Sequence, residues 1–200
     1  MPKPSKDKPA FDELLSRIKH DYPRIKFCSG RQFYWSPNEK TIYFSTEIRP
    51  NEAGHLILHE LAHMELKHTN YDYDVELIQM ELAAWEYSKA NFYPQYLPEF
   101  NQTLQDGYLE SYRDWLYRRS LCPKCNLTGQ QLANHSYSCP TCHQKWQPNI
   151  AKQNRLQRRQ IKNRPWSYSS PIFSCYLSDF CVFCFTTSWY ATTLSASNLC

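Results

Sequence analysis

Apolar positions in the first half of the chain recur at helical and strand periods in turn. Over residues 52–67, Ala53, Leu56, Ile57, Leu58 and Leu61 crowd one side, which predicts a largely buried helix. Residues 72–93, DYDVELIQMELAAWEYSKANFY, contain no Gly or Pro and are rich in helix formers, so a second helix is expected. On a helix of about 3.6 residues per turn, Leu77, Ile78, Glu81, Trp85, Ser88 and Phe92 share one stripe. Upstream, residues 32–35 and 41–45 are aromatic and β-branched and enclose Ser36-Pro37-Asn38-Glu39, which predicts a hairpin. The stretch LESYRDWLYRRS reads as a third helix, with Leu109, Tyr112, Trp115 and Leu116 expected to pack whatever follows onto the preceding domain.

The first helix carries His59-Glu60-Leu61-Ala62-His63, an HExxH pattern. Positions i and i+4 share a helix face, so both imidazoles can reach one zinc ion while Glu60 leans over its open side. Core histidines bonded to backbone are the plain alternative, which must account for two of them at metal spacing with a glutamate beside the first. A third ligand is needed, and Glu81 stands in the apolar stripe of the second helix, where a carboxylate calls for a positive partner. Glu76 is the reserve ligand, while Glu86 reads as a solvated helix charge. His68 follows His59 by nine positions with no Gly between them, and is expected beside the site rather than on the metal. Glu60 is then the general base, taking a proton from an activated water and delivering it to the leaving amine.

A second metal pattern follows. Cys122-Pro-Lys-Cys125 and Cys139-Pro-Thr-Cys142 are CxxC pairs separated by thirteen residues, which is zinc-ribbon spacing. Four thiolates close a tetrahedron and leave no position for chemistry, so this zinc is structural. A redox dithiol is the alternative, better suited to one CxxC than two. His135 and His143 are ordinary surface residues on this reading.

HELAHMELKH followed by MELAAWEYSKANF, with RQFYWSPNEKTIYFS upstream, resembles the ImmA/IrrE-like metallo-endopeptidases over residues 11–93. That resemblance implies a zinc endopeptidase with an acidic third ligand on the second helix, acting on regulatory proteins such as DNA-bound repressors. The layout of HExxH followed by a zinc ribbon is also similar to SprT-like proteases, which act on DNA-bound protein but take a downstream His as third ligand. A non-catalytic zinc-ribbon adaptor is the reading from another class, and an intact Glu60 argues against it.

Composition adds an asymmetry that the net charge of +4 conceals. Residues 1–110 hold twelve Lys/Arg against seventeen Asp/Glu, a net of −5, whereas residues 111–200 hold eleven against two, a net of +9. Arg155, Arg158, Arg159 and Lys162 fall in a basic run after the ribbon that suits phosphates, so non-specific nucleic-acid contact stands beside a solvated basic segment. No apolar segment is long enough to span a bilayer, and paired CxxC motifs without an export signal point to the cytoplasm. The expectation is therefore an α+β protein holding two zinc ions, one catalytic and one structural. It divides into a polar lead-in (1–9), a zincin-like domain (10–98), a connecting helix (99–120), a zinc ribbon (121–148), a basic segment (149–164) and a tail (165–200). The tail carries one charge, nine aromatics and four Cys, with a further CxxC at Cys181 and Cys184, and reads as an unselected, disordered extension.

Overall fold

The computed structural model describes residues 8–152 and 154–161. The lead-in as far as residue 7, Lys162, the tail and its Cys181–Cys184 pair lie outside the described residues. What is described belongs to one compact unit, Met1–Lys162, and is mixed α+β, with five helices and two small sheets.

The first sheet is built from β1 (Lys26–Gly30), β2 (Tyr34–Ser36) and β3 (Thr41–Ser45) in the order β1-β3-β2. β2 and β3 form the expected hairpin, with Trp35 opposite Ile42. β1 pairs parallel to β3 and is an addition to the expected elements. So is α1 (Lys8–Asp21), which begins inside the expected lead-in and whose Phe11, Leu14, Leu15 and Ile18 recur at i, i+3, i+4 and i+7.

The two long helices appear close to their expected bounds, as α2 (Pro50–Glu65) and α3 (Asp74–Asn91). Pro50 opens α2, where a missing N–H leaves nothing unpaired. Just beyond its end, Lys67 turns the chain at a φ of 55°. Ile57, Leu58, Leu61 and Ala62 of α2 are fully buried in a core completed by α1, by Ile42 and Phe44 of β3, and by Phe92, Tyr93 and Tyr96 around the short α4 (Tyr93–Tyr96). Gly54 lets α1 approach, since a Cβ there would crowd Leu14 at 3.1 Å.

α5 (Gln102–Ser120) falls within the expected connecting helix and runs two turns upstream of LESYRDWLYRRS, capped by the Asn101 side chain, which accepts from the Leu104 N–H at 2.9 Å. Among the described residues, its buried apolar residues cluster with α2 and α3. Leu109 packs with Leu56 and Trp85, and Trp115 and Leu116 pack with Leu77, so this face is spent against α2 and α3.

The second sheet comprises β4 (Gln130–Gln131), β5 (Tyr137–Ser138), β6 (Lys145–Pro148) and β7 (Arg158–Ile161), each antiparallel to the next. The basic segment thus supplies a strand, with Arg159 opposite Gln147 and Arg158 opposite Pro148. This sheet is held by a polar seam. Trp146 Nε1 donates to the Arg119 carbonyl at 3.0 Å, Gln131 exchanges two hydrogen bonds with Asp74, and the Tyr137 hydroxyl donates to Asp74 Oδ2. Arg119, fully buried, lies 3.8 Å from Asp74 and over the Trp115 ring. Gly129 is obligatory here because any Cβ would collide with the Trp146 indole. Among the described residues, no helix is long and apolar enough to cross a membrane.

Candidate metal centres

α2 and α3 bring His59, His63 and Glu81 together, with ligand atoms all within 4.8 Å of one another. His59 Nε2 lies 3.2 Å from Glu81 Oε2 and 3.1 Å from His63 Nε2, and His63 Nε2 lies 3.8 Å from Glu81 Oε1. Nitrogen and oxygen ligands about 2.0–2.1 Å from a tetrahedral ion stand about 3.3–3.4 Å apart, so this triangle has the dimensions of a metal face. Burial alone would raise the Glu81 carboxyl, but hydrogen bonds from His59 and His63 outweigh it and hold the group well below the usual carboxylate range. Glu76 takes no part. Its carboxylate accepts from the Asp72 and Tyr73 N–H groups at 2.8 and 3.1 Å and caps α3.

The two imidazoles are oriented differently. His59 stacks on the Trp85 indole with ring centroids 4.3 Å apart, which fixes its plane. His63 is backed by His68, Nδ1 to Nδ1 at 2.9 Å. Ligation through Nε2 would leave the His63 Nδ1–H to donate to His68, which would fix the tautomer that ligation needs. Burial, followed by the facing His63, lowers His68 to about 4, so it serves as the neutral acceptor.

Glu60 projects beside this triangle rather than into it. The Trp35 N–H on the edge strand β2 donates to its Oε2 at 2.9 Å. Desolvation lifts the Glu60 carboxyl above its usual range despite the nearby histidines, a direction that favours proton uptake. Two cavities, of about 280 and 190 Å³, flank this carboxylate, and Phe33, Glu60, Glu81 and Tyr112 border both.

Two residues of this cleft escaped the sequence reading. Tyr112, expected to pack the cysteine module, faces the Glu81 and Glu60 carboxylates; burial first, then those charges, push its phenol well above 10, which keeps it an O–H donor. Lys152, expected in a basic run, reaches back to the same cavity, with Nζ 2.5 Å from Ser111 Oγ and 3.7 Å from the Tyr112 ring centroid. No local spacing could have announced either, because each arrives from an element far along the chain.

Cys122, Cys125, Cys139 and Cys142 form the second group, with sulfurs 3.4–3.6 Å apart in three of their pairs. Thiolates about 2.3 Å from a tetrahedral ion stand about 3.8 Å apart, so the four match a closed metal site after slight expansion. Backbone N–H groups pre-set the knuckles: that of Cys142, opposed by burial but aided by Thr141, draws the Cys139 thiol down to about 6. His135 meets the Tyr71 ring edge to face instead of joining the cluster. Of the basic residues expected to meet nucleic acid, Arg155 and Arg159 are exposed, whereas Arg158 donates to the Leu121 carbonyl at 2.7 Å.

Compared with family models, with curated proteins and with solved structures, the chain matches none.

Proposed function

We propose that the chain is a zinc-dependent endopeptidase of the zincin type carrying a structural zinc ribbon. One observation carries the reading: His59, His63 and Glu81 converge from two helices while Glu60 stands beside them, hydrogen-bonded to a strand edge. His59, His63 and Glu81 would hold the catalytic ion, and the four cysteines the structural one. Zinc in the first position would supply Lewis acidity, which lowers the pKa of water toward about 7.

The chain's own groups account for the rest. Glu60 accepts the water's proton and passes it to the departing amine, with the Trp35 N–H keeping Oε2 in place. To the Tyr112 hydroxyl, which stays protonated and is hydrogen-bonded to Glu81 before substrate arrives, we assign donation to the scissile carbonyl oxygen as charge develops on it. An extended peptide lies along β2, the strand at the edge of its sheet. A glutamate in the third position favours the ImmA/IrrE-like reading over the SprT-like one, whose third ligand is a His. His68 is occupied with His63 Nδ1. Regulatory or DNA-associated proteins in the cytoplasm are the substrate class that this resemblance implies, with the exposed Arg155 and Arg159 offering phosphate contact nearby.

Incubating zinc-loaded protein and its Glu60→Gln variant with a random peptide library, with cleavage read by mass spectrometry, tests the reading. Cleavage by the wild type alone, at equal zinc content, is expected. No cleavage by either at two zinc ions per chain would move the adaptor reading ahead.

A further inference from the structure

The larger cavity beside Glu60 carries positive charge that the metal chemistry does not use. Lys152 enters it from beyond β6, and Arg31 stands at its mouth on the loop between β1 and β2. Among the described residues, neither has a carboxylate within 4.0 Å. Lys152 has only the Ser111 hydroxyl and the face of Tyr112 as partners there. A half-buried ammonium with no carboxylate in contact is unfavourable; Glu81 attracts it only from beyond ion-pair distance and is engaged with His59 and His63, and Glu60 is engaged with Trp35. The lining also includes Phe33, Ile48, Leu56 and Tyr108, which are apolar or aromatic and would take a methylene stem. About 280 Å³ accommodates one side chain of moderate length.

We propose that this cavity is a substrate subsite for a carboxylate, in which Lys152 determines specificity and Arg31 assists at the mouth. The inference rests on the peptidase reading and names the residue class that it selects. The carboxylate belongs either to an Asp or Glu side chain close to the scissile bond or to the substrate's own C-terminus. Lys152 forms the charge-assisted bond, and Arg31 steers the approaching anion.

Equilibrium binding separates this idea from turnover. Fluorescent peptides of otherwise random sequence, with Glu or Gln fixed at each position in turn and with free or amidated C-termini, are titrated against zinc-loaded Glu60→Gln protein at low salt. The Glu peptides are expected to bind about tenfold tighter than their Gln counterparts at one position. That gap should close in Lys152→Met, persist largely in Lys152→Arg and narrow in Arg31→Gln. A gap that follows the free C-terminus instead assigns the subsite to the chain end. Equal affinities throughout, no binding at all, or a preference undiminished in folded Lys152→Met would overturn the proposal. Discriminating binding by a wild type that leaves every peptide uncut would keep the subsite and sink the peptidase reading.

Discussion

The Tyr137 hydroxyl donates to Asp74, so the four-cysteine module rests on the first residue of the helix that carries Glu81. Asp74 also receives Gln131 and faces the buried Arg119, which makes it the junction of three elements. Local order at the cysteines therefore bears on the position of the third candidate metal ligand.

Cys122→Ser is accordingly expected to lower zinc content at both centres, one directly and the other through α3. Elemental analysis should give about two zinc ions per chain in the wild type and fewer than one in this variant. A single ion retained at full affinity would mean that the seam transmits nothing.

Tyr137→Phe removes the donor to Asp74 and leaves a partly buried carboxylate short of a partner. A loss of about 1–3 kcal/mol in denaturant unfolding is expected, with the zinc of the four-cysteine module still bound. Asp74→Ala should cost more, because Arg119 loses its only acidic neighbour within 4.0 Å among the described residues.

Glu81→Ala should empty the first centre selectively and leave the cysteine zinc in place, whereas Glu76→Ala should only weaken the start of α3. Equal zinc retention in the Glu81→Ala protein would refute the ligand assignment.

Tyr112→Phe is expected to reduce kcat by about 10²-fold with little change in KM, since the hydroxyl acts on charge that develops during reaction. A change confined to KM would make Tyr112 a wall of the cleft and nothing more.

Stability should also depend on pH through His55, whose Nδ1 meets the Tyr93 hydroxyl at 2.5 Å. Burial lowers its pKa below the ordinary 6.5, so the unfolded chain binds a proton that the folded chain refuses. The contribution is fully present above pH 6.5 and is lost as pH falls through the folded value. Thermal melts between pH 7.5 and 5 should slope downward toward acid, and His55→Gln should flatten that slope.

The parts of this protein written in short intervals were legible in the sequence. A helix turns through a fixed angle per residue, so the HExxH spacing alone sets His59 and His63 on one face, and the apolar stripe around Glu81 marks that carboxylate as buried. The two CxxC pairs announce a four-sulfur cluster for the same reason, since each knuckle is closed by its own backbone N–H groups. Tertiary structure decided what those intervals leave open. Glu81 became the partner of the histidines, and Glu76 a cap, because α3 crosses α2 at one depth and not a turn earlier. Tyr112 and Lys152 reached the cleft, and Arg119 reached Asp74, through contacts between residues 31 to 52 positions apart. Such contacts depend on how whole helices and strands stack to bury their apolar faces, which no local period records.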